Sequence, residues 1–152
     1  MAARQIDVVN AHRQATGQKA LVVFVPCAQL TYYRKIQRQL VSELEKKFAD
    51  THVVLVAQRT VLPKNCNRDP RFKGPRPRSR TLTKVREAML DDLVYPAEVA
   101  GKRTRVRMDG TKLLKVQLTS KDAATEDKLD TFSTVYSTLT DKSTAFGLEK
   151  SH

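Results

Sequence analysis

Apolar residues recur along this chain with two different periods, and each period predicts a different kind of element. The run Ala20–Val25 is continuously apolar and rich in β-branched residues, which is typical of a central strand that is covered on both faces. His52–Ala57 is predicted to be a second apolar strand. Between them, apolar residues recur every three or four positions from Leu30 to Phe48, which predicts a long amphipathic helix. A strand, a helix and a strand with short connections predict a βαβ unit with parallel strands.

Two further helices are predicted from the same spacing. One begins near Thr81 and ends before Pro96, and the other lies between Leu129 and Leu139. We expect the apolar stripe of each helix to face the core. The stripes comprise Leu30, Tyr33, Ile36, Leu40, Leu44 and Phe48 in the first helix, Leu82, Val85, Met89, Leu90 and Leu93 in the second, and Leu129, Phe132, Val135, Tyr136 and Leu139 in the third.

Two segments of alternating polarity around Asp109-Gly110 predict a β-hairpin. A two-residue turn would place the apolar residues of the two strands on opposite faces. A three-residue turn, Asp109–Thr111, pairs Val106 with Leu114 and places both apolar sets on one face, so we favour it. It requires Gly110 to adopt the left-handed conformation. The opposite face then collects four basic residues, with Arg105 opposite Lys115: Arg103, Arg105, Arg107 and Lys115.

These elements predict an α/β fold with one mixed sheet of about four strands. The sheet is built from the βαβ unit and the β-hairpin, with a helix between them, a C-terminal helix after them and helices flanking the sheet. A length of 152 residues corresponds to one domain, which we assign to residues 1–152. Met1–Gln18 shows no strong period and is interpreted as a loose lead-in to the first strand.

Positive charge is concentrated in the middle of the chain. The net charge is +12, and the segment Arg59–Arg80 alone has eight basic residues against one acid, Asp69. Four prolines favour an extended basic loop over 59–80, which would reach about 70 Å if fully stretched. Such unbalanced charge favours a polyanion, with nucleic acid preferred over an anionic membrane surface. A solvated charged loop is the alternative, and a nuclear import signal is compatible with either.

The predicted RNA-binding residues combine the basic loop, the start of the second helix and the basic face of the hairpin. Arginine suits phosphate contacts because its planar guanidinium group donates two parallel hydrogen bonds. Phe72, the aromatic residue of the loop, either stacks on an unpaired base or packs against the protein itself. The predicted set is Arg59, Lys64, Arg68, Arg71, Lys73, Arg76, Arg78, Arg80, Lys84, Arg86, Arg103, Arg105, Arg107 and Lys115.

The sequence offers little for catalysis or cofactor binding, and we predict a protein that is not an enzyme. Cys27 and Cys66 do not make a disulfide framework, which favours a reducing compartment, and the three histidines are too scattered for a metal site. Asp91 and Asp92 are adjacent on a helix and point in different directions. We expect no cofactor, no metal and no small-molecule substrate. Without a targeting segment or an apolar run long enough to cross a bilayer, we expect an intracellular protein with no membrane partner.

Several stretches together resemble one family, the eukaryotic cytosolic small-subunit ribosomal protein that bears the ordinal seven. That family is unrelated to the bacterial protein of the same ordinal. The resemblance runs from about Lys19 to Leu139 and is weak over Asn65–Lys73. The stretches that carry it are Ala20–Gln29, Lys35–Gln37, Leu40–Phe48, His52–Val54, Ala57–Arg59, Arg76–Thr83, Leu93–Pro96, Gly101–Arg103, Asp109–Gly110 and Lys115–Val116.

The resemblance implies a structural constituent of the 40S subunit. Such proteins bind and stabilise small-subunit rRNA, contact neighbouring ribosomal proteins, and support pre-rRNA processing and subunit assembly. They act in cytoplasmic ribosomes and pass through the nucleolus during assembly. The motif Arg76–Thr83 is the part onto which an RNA contact is carried over. Two other hypotheses stay open on the residues alone: an accessory subunit of a nucleic-acid-processing enzyme, and a non-ribosomal RNA chaperone.

Overall fold

The computed structural model describes residues 2–9, 15–49, 51–68, 72, 74–119 and 126–148. It confirms the α/β class and the three predicted helices. In chain order the elements are β1 (Ala2–Val9), β2 (Ala15–Pro26), α1 (Leu30–Lys47), β3 (Thr51–Gln58), α2 (Leu82–Val94), β4 (Glu98–Val106), β5 (Lys112–Thr119), α3 (Leu129–Thr140) and β6 (Thr144–Leu148). Short 3-10 turns lie at Cys27–Gln29, Cys66–Arg68 and Arg78–Arg80.

The strands form two three-stranded sheets, in the orders β1-β2-β3 and β4-β5-β6. Strands β2 and β3 are parallel, with Val22 opposite Val54, as the βαβ pattern predicts. In place of one sheet of about four strands, the described residues hold six strands in two sheets. The additional strands are β1, antiparallel to β2, and β6, parallel to β5. Both lie at sheet edges and have little alternation in sequence, so the lead-in and the C-terminal segment gave no strand signal.

Helices α2 and α3 lie between the two sheets, and α1 covers the far face of the first sheet. The larger apolar cluster joins both sheets to α2 and α3. It contains Ala20, Val22, Val54, Val56, Leu90, Leu93, Val94, Val116, Leu118, Phe132, Val135 and Tyr136. The other face of the first sheet packs against Leu30, Tyr33, Leu40, Val41 and Leu44 of α1. The layers are therefore α1, first sheet, α2 with α3, and second sheet.

Three residues of the predicted stripes do not face the core. Ile36, Phe48 and Leu82 are 48%, 49% and 46% exposed, whereas Gln37 is only 7% exposed. Phe48 is the C-cap of α1, and Leu82 is the first residue of α2. Ile36 lies at the margin of the stripe, and packing of α1 on a sheet buries only the centre of that stripe.

The hairpin joins β4 to β5 with Gly110 at φ +79°, as predicted. The predicted register was two residues off: Thr104 lies opposite Leu114, and Val106 lies opposite Lys112. The connection between β4 and β5 is longer than the predicted three-residue turn, because the Arg107 N–H donates to the carbonyl oxygen of Thr111 at 3.0 Å. A shift of two residues keeps every side chain on its predicted face. Arg103, rather than Arg105, therefore lies opposite Lys115.

Candidate nucleic-acid interface

The basic loop, residues 59–80, is closed at its base by contacts with Leu62. The Leu62 N–H donates to the carbonyl oxygen of Arg80 at 2.9 Å, and the Arg76 guanidinium donates to the carbonyl oxygen of Leu62. Within the loop, Cys66 is 3% exposed. The described part of the loop is therefore folded back at its base and does not span its full reach. Prolines favour extended backbone locally, but these contacts bring the two ends of the loop together.

Arg59, at the start of the loop, is bound inside the protein. Its guanidinium pairs with the carboxylate of Asp92, whose side chain is 1% exposed. Burial alone would lower the pKa of Arg59, but the hydrogen bond and negative charge of Asp92 raise it above the ordinary value. Asp92 also accepts from Arg34 at 2.9 Å and from the Ala57 N–H at 3.3 Å. Arg59 therefore fastens the loop to α1, β3 and α2, and this contact occupies the group that was predicted to bind RNA.

The far end of the loop presents two exposed arginines beside the N-terminus of α2. Arg78 and Arg80 belong to a 3-10 turn that leads through Thr81 into α2. The Thr81 hydroxyl donates to the carbonyl oxygen of Arg78 at 2.7 Å and does not cap the helix. The peptide dipoles at a helix N-terminus favour negative charge, which adds to the potential of the arginines. Because the base of the loop is closed, the backbone positions of Arg78 and Arg80 are fixed.

The remaining loop candidates are spread along the loop. Lys64 and Arg68 are exposed, and Phe72 is half-buried, so neither interpretation of Phe72 is favoured. Arg71 and Lys73 lie outside the described residues. Arg76 is half-buried and donates to the loop backbone, which gives it a structural contact.

Glu87 links the start of α2 to the second sheet. Its carboxylate lies 2.8 Å from the ammonium of Lys84 and 3.5 Å from that of Lys102. The hydrogen bond from Lys84, together with the charge of Lys102, lowers the pKa of Glu87. Lys84 is thus partly neutralised, and Arg86 is half-buried. Both are weaker candidates for a phosphate contact than the two arginines of the turn.

The outer face of the second sheet carries the second group of basic residues. Arg103 lies opposite Lys115, and Arg105 lies opposite Leu113 on the same face. Arg107 follows in the connection to β5. These four basic side chains are exposed, and within the described ranges none of them forms an ion pair. Helix α2 packs on the inner face of this sheet, whereas these four residues lie on its outer face. The arginines beside the N-terminus of α2 and the basic residues of the sheet are therefore on opposite sides of the edge strand β4.

Two residues that hold the base of the loop, Arg34 and Asp92, were not among the predicted site residues. Asp92 interrupts the apolar residues of α2 between Leu90 and Leu93, and a carboxylate at such a buried position needs cationic partners. An aspartate among the apolar residues of α2 is thus visible in the sequence. Its partners are not, because Arg34 lies in α1 and Arg59 in the basic loop, and only the tertiary structure brings them to Asp92.

Other kinds of site are not apparent in the part of the chain that the structure describes. It contains no cluster of three or more histidine, cysteine or acidic side chains arranged to hold a metal ion. None of its helices combines the length and apolar character needed to cross a membrane. Its cysteines, Cys27 and Cys66, form no disulfide bond.

Comparison with known proteins gives a consistent result. The family model described as Ribosomal protein S7e matches residues 1–148. Small ribosomal subunit protein eS7 of Schizosaccharomyces pombe is 50% identical over 145 residues, covering 95% of this chain and 71% of that protein. The protein of the same name from Anopheles gambiae is 48% identical over 147 residues, with 95% and 72% covered. That of Candida albicans is 53% identical over 131 residues, with 86% and 70% covered.

These matches confirm the resemblance carried by the ordered stretches from Ala20 to Val116. The family model also extends across β1 and all of β6, where the sequence pattern had predicted no strand. The chain therefore belongs to the S7e family of small-subunit ribosomal proteins, which are structural proteins rather than enzymes.

Proposed function

We propose that this protein is a structural constituent of the small ribosomal subunit that binds and stabilises small-subunit rRNA through two basic surfaces. The first, the turn surface, consists of Arg78, Arg80 and the N-terminus of α2. The second, the sheet surface, consists of Arg103, Arg105, Arg107 and Lys115. The observation that carries the proposal is that these guanidinium and ammonium groups are exposed and form no ion pair with any residue that the structure describes, on backbone that is held in place.

Phosphate contact is the chemistry that these surfaces fit. Exposed arginines that form no ion pair within the described ranges repel each other, and a polyanion removes that repulsion. Arg78 and Arg80 lie within one turn of a helix N-terminus, so a bound phosphate would meet both side-chain charge and backbone dipoles. Lys64, Arg68, Arg71 and Lys73 supply additional positive charge. Arg59 and Arg76 act on the RNA indirectly, by holding the loop that carries the other residues.

The wider role follows from the family. We propose that the protein contacts neighbouring ribosomal proteins, supports pre-rRNA processing and subunit assembly, and works in cytoplasmic ribosomes after passage through the nucleolus. We also propose that residues 1–152 form one domain that carries the basic loop at 59–80. The apolar cluster shared by both sheets supports this assignment.

The turn surface is tested by the double substitution Arg78→Ala and Arg80→Ala. Binding to small-subunit rRNA should weaken, and the slope of log affinity against log salt should flatten by about 0.7–0.9 for each phosphate that the variant no longer neutralises. The matched control is Lys46→Ala with Lys47→Ala, which removes the same charge from α1, beyond the first sheet. An unchanged affinity and slope in the arginine variant, or an equal effect in the lysine control, would overturn the turn surface.

Sedimentation of the tagged protein tests the broader role. Stable comigration with small ribosomal subunits is expected, and the Arg78→Ala, Arg80→Ala variant should incorporate less well than the lysine control. Migration with a different complex would favour an accessory subunit of a nucleic-acid-processing enzyme. Migration as free protein would favour an RNA chaperone, and either result would contradict the proposal.

A further inference from the structure

Helix α1 carries apolar residues that are exposed to solvent. Tyr32 is 69% exposed and Ile36 is 48% exposed, whereas the neighbouring polar residue Gln37 is 7% exposed. Tyr32 and Ile36 are one helical turn apart and therefore lie on the same face. This face is distinct from the turn surface and the sheet surface, because α1 packs on the far face of the first sheet, although Arg34 reaches Asp92 of α2.

The rotation of α1 is set by its contacts with the first sheet. Leu30, Tyr33, Leu40 and Leu44 pack against the strands, so the helix cannot turn Ile36 inward without exposing several of them. Gln29, Tyr32, Tyr33 and Ile36 line an open groove of about 390 Å³. An exposed groove with an aromatic and an aliphatic wall is typical of a surface that receives a partner. We call these four residues the α1 groove.

The segment that carries the α1 groove has charge of one sign. From Pro26 to Ser42 the chain has three basic residues, Arg34, Lys35 and Arg38, and no acidic residue. Arg34 is bound to Asp92, but the ammonium of Lys35 lies at the groove itself, 5.8 Å from the centre of the Tyr32 ring. A rim of this charge complements acidic side chains, and complementary charge at a rim selects partners and guides their approach.

We propose that the α1 groove docks an acidic amphipathic segment of a neighbouring protein, with an aliphatic side chain in the groove and carboxylates at Lys35. This inference rests on the proposed function as a constituent of the small ribosomal subunit. A protein suits this surface better than RNA for two reasons. Ile36 offers an aliphatic wall that bases and phosphates do not require. One face of the Tyr32 ring already lies against the Lys35 ammonium, which leaves less of the ring for base stacking.

The test is photo-crosslinking inside assembled particles. The substitution Tyr32→p-benzoylphenylalanine is introduced into the full chain, and small subunits that contain it are purified by sedimentation before irradiation. Recovery of the chain in the particle is measured first, so a failure to assemble is distinguished from a failure of docking. We expect an adduct with a protein segment that has net negative charge and an aliphatic residue at the adduct site.

Second substitutions in the chain that carries the photo-crosslinker at position 32 test whether adduct formation depends on the α1 groove. Ile36→Glu and Lys35→Glu should each lower the adduct yield by about tenfold, the change produced by roughly 1.4 kcal/mol of binding free energy. Ser42→Glu, which adds one negative charge to an exposed position of α1, should leave the yield unchanged. Because Lys35 is exposed, Lys35→Glu should leave the helix intact. The test therefore remains valid even if Ile36→Glu perturbs the helix. An rRNA adduct, a neutral or basic peptide, no adduct, or an equal decrease in the Ser42 control each overturns the proposal.

Discussion

At the residue scale, Asp92 connects parts of the chain that are far apart in sequence. Its buried carboxylate accepts hydrogen bonds from Arg34, Arg59 and the Ala57 N–H. Removing one partner of a buried charge cluster leaves the others without compensation, which costs more free energy than the cluster itself contributes. Asp92 therefore stabilises the fold and determines where the basic loop begins.

We expect Asp92→Ala to lower the free energy of unfolding by about 3–5 kcal/mol, because Arg34 and Arg59 are then left without their shared carboxylate. Urea denaturation followed by circular dichroism measures the change. Asp91→Ala is the matched control, since Asp91 is the exposed neighbour on the same helix, and its effect should stay within about 0.5 kcal/mol. Equal effects of the two substitutions would contradict the role of Asp92.

A second residue, His52, makes the stability of the protein depend on pH. Its Nδ1 is hydrogen-bonded to the Thr131 hydroxyl at 2.7 Å, and the Glu45–Lys128 ion pair lies nearby. Burial, followed by the charge of Lys128, lowers the pKa of His52 below 6.5, although Glu45 and Asp127 act in the opposite direction. The neutral imidazole is therefore the form that the fold favours.

As the pH falls through 6.5, His52 is protonated in the unfolded chain before it is protonated in the folded protein. Acid should therefore lower the free energy of unfolding until the pH drops below the pKa of His52 in the folded protein. Above 6.5 this contribution is absent. Denaturant unfolding of the protein and of His52→Gln, compared between about pH 5 and 8, measures the difference. The stability difference between the two proteins should change in this window, and a constant difference would refute the assignment.

At the element scale, the hairpin shows what sequence patterns specify and what they leave open. The alternation of apolar and basic residues correctly predicted two strands, their faces and the left-handed glycine. It could not predict the register, because a shift of two residues preserves the alternation. The longer connection is closed by Asp109, whose carboxylate accepts from the Thr111 N–H at 3.2 Å and from the Thr111 hydroxyl at 2.8 Å.

Gly110→Ala should lower the free energy of unfolding by about 1–2 kcal/mol, because a φ of +79° is unfavourable for a residue with a Cβ. Thermal or urea denaturation measures the effect. Gly147→Ala in β6 is the control: its new methyl group meets nothing within 4 Å, and its φ is outside the positive region. The turn assignment fails if both substitutions have the same effect.

The helices illustrate the same division between pattern and packing. Periodicity correctly predicted α1, α2 and α3 and most of their buried residues. It did not predict that Ile36 would be exposed and Gln37 buried, since the rotation of α1 depends on the sheet beneath it. In α3, hydroxyls that weaken an isolated helix donate to the carbonyl oxygen four residues earlier, as Thr138 does to Thr134 and Thr140 to Tyr136. Packing of Phe132 and Val135 in the core then stabilises this helix.

At the scale of the whole molecule, the apolar cluster between the sheets joins residues from both ends of the chain. Ala20 and Val22 of β2 share it with Val116 and Leu118 of β5 and with Val135 of α3. Each sheet has one face in this cluster, so neither is expected to retain its structure after the other unfolds. This is the physical basis of the proposal that residues 1–152 form one domain.

Leu118→Ala should destabilise both sheets together by about 2–5 kcal/mol, because Leu118 is fully buried and its truncation leaves a cavity. Hydrogen exchange at Val54 and Val56 in the first sheet measures the effect away from the substituted strand. Leu113→Ala, on the outer face of β5, is the control and should cost much less. Unchanged protection of Val54 and Val56, with two separate unfolding transitions, would show that the sheets are independent domains.

The sequence by itself determined the types of element, the βαβ unit, the faces of the hairpin, the concentration of basic charge and the family. These properties follow from local periods, from composition and from an ordered set of short stretches. Only the tertiary structure decided that the strands divide into two sheets, that Arg59 and Arg76 hold the basic loop, and that Tyr32 and Ile36 remain exposed. Each of these depends on contacts between distant segments, such as Asp92 with Arg59, and those contacts have no local pattern.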